Sequence, residues 1–171
     1  MQNNNIGTLY LVSTPIGNLE DITFRALNIL NSVDLIVAED TRRSKILLSR
    51  YDINTKMISY FEHNRFQRLQ QIEKILKNNN DIALITDAGT PAISDPAYKL
   101  IRKAIEISCK VESVPGASAV LTALVSSGLP TDRFLFEGFL PPKKGRKKRI
   151  ENFKNIEATI IIYENNNRLK R

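Results

Sequence analysis

The stretch from Asp81 to Pro96 constrains this chain more than any other. Asp81-Ile-Ala-Leu-Ile-Thr86 is an apolar run of the length used by a strand buried on both faces, and a parallel sheet is the usual setting for such a run. The next ten residues, Asp87-Ala-Gly-Thr-Pro-Ala-Ile-Ser-Asp-Pro96, follow neither the strand nor the helix period. Gly89 lets a ligand approach the backbone closely, and Pro91 and Pro96 restrict the loop. Asp95-Pro96 reads as an N-cap followed by proline at the first helical position. A strand therefore ends, an irregular loop follows and a helix starts. The loop is long for a strand-to-helix connection, which favours a functional role over a plain turn. In an open α/β sheet, ligands bind outside the carboxyl ends of the strands. Asp87, the charge at this strand tip, is suited to accept hydrogen bonds from a ligand. The alternative is a tight connection that binds nothing.

Four more apolar runs share the pattern: Thr8 to Ser13, Asp34 to Ala38, Lys56 to Tyr60 and Lys110 to Val114. Helical spacing separates them. Ile22, Ala26, Leu27 and Leu30 follow a capping Asp21, and Ile46 with Leu47 mark a second helix. Phe66, Leu69, Ile72, Ile75 and Leu76 mark a third, closed by Asn78-Asn79-Asn80, and Tyr98, Ile101 and Ile105 a fourth. Five strands alternating with helices predict an α/β domain with a parallel sheet over residues 1–117. A helix from about Ser118 ends at Gly128-Leu129-Pro130. Beyond it, two strands at 133–140 and 157–163 flank a basic helix. Residues 118–171 thus read as the start of a second, incomplete domain, with too few strands to stand alone.

The chain of 171 residues carries a formal charge of +7, and its placement is uneven. Residues 1–140 hold 15 Lys and Arg against 15 Asp and Glu, whereas residues 141–171 hold 10 against 3. A local basic patch is a candidate phosphate-binding surface, with a solvated loop as the alternative. No apolar run approaches the length of a membrane span, and Met1-Gln-Asn-Asn-Asn5 lacks a secretory pattern, so a cytoplasmic protein is expected. One Cys and one His exclude a disulfide framework and argue against a metal site. The usual phosphate-cradling glycine motifs and the Gly-x-Ser-x-Gly elbow are absent. Four strand tips still carry unusual residues: Pro15 and Gly17, Glu39 to Arg43, Asp87 to Asp95, and Pro115 to Ser118. In a parallel sheet these tips share one edge.

Six segments occur in order: Thr14-Pro-Ile-Gly-Asn-Leu-Glu-Asp-Ile-Thr23, Ala38-Glu-Asp-Thr-Arg42, Thr86-Asp-Ala-Gly-Thr-Pro-Ala-Ile-Ser-Asp-Pro96, Val114-Pro-Gly-Ala-Ser-Ala119, Ser127-Gly-Leu-Pro-Thr-Asp-Arg-Phe134 and Phe136-Glu-Gly-Phe-Leu-Pro141. Together they resemble the tetrapyrrole methylase superfamily, and within it the branch that methylates the ribose 2′-oxygen of a cytidine in 16S rRNA. The resemblance covers nearly the whole chain. It implies two α/β domains, S-adenosylmethionine (SAM) in the cleft between them, a homodimer, and a product methylated in the decoding region. Members continue well past the equivalent of residue 171, so most of the second domain is expected to lie outside this chain. Tyr163-Glu164 is followed by Asn165-Asn166-Asn167-Arg168, where the family usually has Ser-Pro-His-Arg.

The resemblance implies cofactor contacts at Pro15, Gly17, Asp87, Gly89, Thr90, Ile93, Pro115, Gly116, Ser118, Ala119 and Tyr163. For the turn at 115–119 the alternative is a helix N-terminus packed closely on the sheet. Methyl transfer to a hydroxyl is an in-line attack of oxygen on a sulfonium methyl, so the protein must align the two and help remove a proton. Glu39 and Asp40 are candidates for the general base or for a ribose contact, and equally for charge pairing with Arg42 and Arg43. His63, after a strand, is a further candidate base, with a structural role as its alternative. Arg42 and Arg43 suit RNA phosphate. Lys143, Lys144, Arg146, Lys147, Lys148 and Arg149 form the expected phosphate track. Two other readings stay open: a small-molecule, tetrapyrrole-type methylase, and an inactive RNA-binding remnant. The basic segment favours an RNA substrate.

Overall fold

The computed structural model describes residues 6–61, 63–94 and 97–169. They divide into two compact units, Met1–Ser118 and Ala119–Arg171. The first unit runs β1 (Thr8–Val12), α1 (Phe24–Ser32), β2 (Leu35–Ala38), α2 (Thr41–Arg50), β3 (Met57–Ser59), α3 (Arg65–Lys77), β4 (Ile82–Ile85), α4 (Tyr98–Glu106) and β5 (Lys110–Val114). Its five strands pair in parallel in the order β3-β2-β4-β1-β5.

The strand order fixes the layering. From β1 through β3 the chain moves one way along the sheet, and from β3 through β5 it moves the other way. Crossovers of one hand therefore put α1 and α2 on one face and α3 and α4 on the other. The two cores agree with this. Ala26, Leu30 and Leu48 pack with Val12, Ile36, Ala38, Ala83, Ile85 and Val114. Ile72, Leu76, Leu100 and Ala104 pack with Leu9, Leu35, Val37, Ile82 and Leu84. Every residue of β2 and β4 is buried, because both strands are covered on both faces. The connection leaving β2 and the one leaving β4 diverge, which opens a crevice at the carboxyl ends of these neighbours. At the opposite edge acids serve structure: Thr8 N–H donates to Asp81 Oδ1 and Asp81 N–H to Asp34 Oδ2, each at 2.7 Å.

Several local expectations differ from the structure. Asp21 does not cap α1. It lies in a 3-10 turn, Leu19–Asp21, and Thr23 is the cap, its hydroxyl accepting from Ala26 N–H at 3.1 Å. Phe66, Tyr98, Ile105 and Ile46 were expected on apolar faces, yet they are 72%, 60%, 62% and 63% exposed. The buried stripe of α4 runs through Ala97, Leu100 and Ala104 instead. The Asp95-Pro96 start of that helix falls outside the described residues. Cys109 is buried against Gly7 O, and burial raises its thiol pKa.

The second unit contains α5 (Ala119–Ser126), β6 (Phe134–Phe139), α6 (Arg146–Asn152) and β7 (Thr159–Tyr163). β6 and β7 are parallel with an irregularity between Phe136 and Gly138. Gly128, at φ +73°, follows α5 in the left-handed region where glycine costs least. The Tyr163 ring meets Phe136 edge-on at 4.9 Å and Phe139 at 5.5 Å. Arg149 pairs with Glu137, and Arg146 and Arg168 with Glu164. Among the described residues no helix is long and apolar enough to cross a membrane.

Gly116 allows the turn after β5 to close on the turn after β1: a β-carbon there would stand 2.8 Å from Ser13 Cβ. Overpacking of this kind costs roughly 1–3 kcal/mol. Gly116→Ala is expected to lower the urea midpoint accordingly with an unchanged slope. An unaltered midpoint would show that the two turns do not press on each other.

Candidate active site

The strand tips are tied together by backbone and hydroxyl groups. Thr14 and Gly89 exchange both N–H···O bonds, at 2.9 and 3.0 Å, making an antiparallel bridge across the ends of two parallel strands. Gly89 adopts φ +84°, which a residue with a β-carbon resists. The buried Thr14 hydroxyl donates to Thr86 O at 3.1 Å, and Ser13 Oγ lies 3.0 Å from Thr90 Oγ1. With Gly116 against Ser13, the loops after β1, β4 and β5 form one interlocked edge. Farther along, Ala92 and Ser94 hold left-handed φ values of 71° and 61°. Such conformations cost about 1–2 kcal/mol each, and observed strain of this kind points to a functional loop.

An acidic cluster lies at the crevice between β2 and β4. Thr86 Oγ1 donates to Glu39 Oε2 at 2.8 Å, and Asp40 N–H donates to Asp87 Oδ1 at 3.2 Å. Arg43 Nη1 stands 3.3 Å from Asp87 Oδ2. Asp40 caps α2, accepting from Arg42 N–H at 2.9 Å, and also receives the Arg42 guanidinium at 2.8 and 3.1 Å. The Arg42 guanidinium, followed by its backbone N–H, lowers the Asp40 pKa to about 2. A carboxylate that releases its proton so readily is a poor base near neutral pH. Glu39 is placed differently. One oxygen is held by Thr86, and the other carries no hydrogen bond among the described residues.

Two hollows adjoin these groups. A cleft of about 380 Å³ is lined by Glu39, Asp40, Thr41, Arg42, Ser59 and Phe61. A smaller cavity of about 150 Å³ has Thr14, Pro15, Arg43, Ser44, Thr86 and Asp87 in its wall, with Leu19, Ile46, Leu47 and Ile85. His63 is exposed and sets its ring edge-on to Phe61 at 6.2 Å, beside the larger cleft.

The structure thus brings together Pro15, Glu39, Asp40, Arg42, Arg43, Asp87, Gly89, Thr90 and Gly116 of the residues singled out from sequence. Gly17 has open space around its α-carbon, and Ile93 is half exposed. Ala119 and Tyr163 belong to the second unit, as does the basic segment. Within that segment Arg146 and Arg149 are held by ion pairs, whereas Lys143, Lys144, Lys147 and Lys148 are exposed and without an ion-pair partner among the described residues. Sequence reasoning missed Ser13, Ser44, Ser59, Phe61 and the hydroxyl of Thr86. Ser13 and Thr86 were findable as small polar residues ending strands. Ser44 sits inside a helix and gives no signal.

Comparison with known proteins extends this picture. The sequence profile described as Tetrapyrrole (Corrin/Porphyrin) Methylases matches residues 8–171. Over 170 residues, 99% of its length, the chain is 52% identical to a Halalkalibacterium halodurans protein named ribosomal RNA small subunit methyltransferase I, and covers 59% of that protein. A Bacillus subtilis protein of the same name is 49% identical over 98% of the chain, which covers 58% of it. A third, from Thermotoga maritima, is 44% identical over 96% of the chain, which covers 74% of it. The chain therefore spans about three fifths of the length of the first two relatives. Among solved structures, a diphthine synthase superposes with a TM-score of 0.75 at 14% identity, covering 95% of this chain and 66% of that one. A uroporphyrin-III-C-methyltransferase from Thermus thermophilus gives 0.61 at 17% identity, covering 85% and 72%. At these identities the likeness shows a common fold.

The Asp40 assignment makes a pH prediction. The folded pKa lies below the unfolded value of about 3.9, so the Asp40 contribution is fully present above that value and lost as pH falls through about 2. A carboxyl-carbon NMR titration is expected to place Asp40 near 2, and Arg42→Ala to move it towards the ordinary range. A midpoint near 4 in the unsubstituted chain would remove the pairing.

Proposed function

The chain belongs to the tetrapyrrole methylase family, and on that premise we propose that it serves a SAM-dependent rRNA methyltransferase acting on the ribose 2′-oxygen of a cytidine in the decoding region of 16S rRNA. The observation that carries the chemistry is Glu39, a carboxylate with one oxygen braced by Thr86 and the other directed to no described group, beside a cleft of about 380 Å³. The relatives' shared name supports rRNA as the substrate.

The residues present fit the cofactor's chemistry. Gly89 carries the loop past the strand tips in a conformation where no β-carbon intervenes, and the Ser13 and Thr90 hydroxyls stand side by side at the same edge. Carboxylates of the acidic cluster suit an ammonium group and ribose hydroxyls. Pro15, Gly17, Gly89, Thr90, Ile93, Pro115, Gly116 and Ser118 are the proposed cofactor residues, with Asp87 at their margin beside the acidic cluster. SAM, when bound, supplies a methyl group on a positively charged sulfur. The chain's own residues orient the ribose and take up the hydroxyl proton. Glu39 is assigned the base and Asp40 the support: it caps α2, and its N–H helps hold Asp87. Arg42, the more exposed of the two guanidinium groups, is the proposed phosphate contact near the site. Lys143, Lys144, Lys147 and Lys148 are the proposed phosphate contacts of the second unit. A homodimer, which the resemblance implies, and a cytoplasmic location, expected from the composition, complete the reading.

The test is methyl transfer from labelled SAM to small ribosomal subunits, with the product mapped to a ribose 2′-oxygen. Glu39→Gln is expected to lower the rate about 100-fold or more, the range of a general base, with SAM affinity unchanged. Asp40→Asn is expected to cost less than about tenfold. A Glu39→Gln chain with the original rate would sink the base assignment, and a methyl group on a base rather than a ribose would overturn the reaction.

A further inference from the structure

The wall of the smaller cavity contains a buried hydroxyl that neither the fold nor the proposed chemistry uses. Ser44 is 5% exposed, and its Oγ has no hydrogen-bond partner among the described residues. A buried polar group left unpaired is costly, so such a group at a cavity wall points to a missing partner. Beside it stand the Arg43 guanidinium and the Asp87 carboxylate, 3.3 Å apart and both in the cavity wall. Thr14, Thr86 and apolar side chains, among them Pro15, Leu19 and Ile85, form the rest of that wall. At about 150 Å³ the cavity has the size that admits a single six-membered ring.

We propose that this cavity receives the flipped-out pyrimidine of the substrate nucleotide and that Asp87, Arg43 and Ser44 read its Watson–Crick edge as cytosine. The inference rests on the RNA methyltransferase reading and assigns the base subsite within it. Enzymes that act on a nucleobase extrude it into a pocket walled by apolar groups, and the same device brings the adjoining ribose 2′-oxygen out of the stack to a strand-tip site. The cytosine edge presents an amino donor followed by two acceptors. The wall offers the complement: a carboxylate acceptor at Asp87 and donors at Arg43 and Ser44. Uracil would set its O4 acceptor against the Asp87 carboxylate and find no partner for its N3 donor at Arg43. A purine has two fused rings and exceeds the cavity. Pairing of the Ser44 hydroxyl would also satisfy the buried group that the fold leaves open. Asp87 already accepts the Asp40 N–H, which fixes the carboxylate in place before any ligand arrives.

The test is calorimetric titration of cytidine 5′-monophosphate (CMP) and uridine 5′-monophosphate (UMP) into the chain, with SAM titrated separately. CMP is expected to bind about tenfold or more tighter than UMP, the discrimination a mismatched polar edge produces. Ser44→Ala is expected to weaken CMP about tenfold and leave SAM affinity unchanged. Asp87→Asn, which offers an amide donor to uracil O4, narrows the CMP-to-UMP ratio. Equal affinity for the two nucleotides, binding of neither, or loss of SAM affinity with unchanged CMP affinity in Ser44→Ala would each overturn the assignment. Should Ser44→Ala fail to fold, the comparison of CMP with UMP on the unsubstituted chain and on Asp87→Asn decides. Methylation of rRNA without any CMP preference would overturn the base subsite and leave the proposed activity standing, whereas a CMP preference without methylation would do the reverse.

Discussion

The two hydrogen bonds between Thr14 and Gly89 are the constraint on which the functional edge depends. Parallel strands deliver their carboxyl ends to one edge, but nothing in a parallel ladder holds the loops beyond those ends. Here an antiparallel bridge does so, and it needs a residue at φ +84°. The Thr14 hydroxyl then ties the end of β4 to the same point, and the Ser13–Thr90 contact and the close approach of Gly116 bring in the remaining loops. A rigid edge is what positioning chemistry requires, since methyl transfer depends on alignment.

Electrostatics divides labour among acids that look alike in sequence. Asp40 immediately precedes α2, so its side chain reaches the helix N–H groups and then the Arg42 guanidinium, and both stabilise its charge. Glu39, one residue earlier on the last turn of backbone before the helix, points back to Thr86 and keeps an oxygen available. Asp87 joins the two strand tips by holding the Asp40 N–H and Arg43 together. The pairing that stabilises the Asp40 charge also holds it at the start of α2, where its N–H meets Asp87.

Much of this was legible in the sequence. The buried run at 82–85 and its loop announced a parallel strand ending at a site, because a strand covered on both faces has no polar alternation and its tip must carry any chemistry. The clustering of Asp87, Glu39 and Pro15 followed from the sheet alone. The α4 face did not. Ile101 does pack against the core, but Tyr98 and Ile105 do not; burial selects the stripe through Ala97, Leu100 and Ala104, whose alanines give little hydrophobic signal while fitting close to the sheet. The capping role of Asp40 also escaped, although the N-cap preference for Asp before Thr41 was there to be read. Ser44 was invisible for a different reason: only the folded helix shows that its hydroxyl is buried at a cavity wall with no hydrogen-bond partner among the described residues.

The account's central claim is that the interlocked strand-tip edge receives the methyl donor. Two-dimensional amide NMR during titration with SAM tests this most directly. The account predicts shift changes at residues 13–18, 86–94 and 113–118, with those at 143–149 unchanged. Saturating SAM that moves no resonance at the strand tips, or moves those of the basic segment instead, would contradict it.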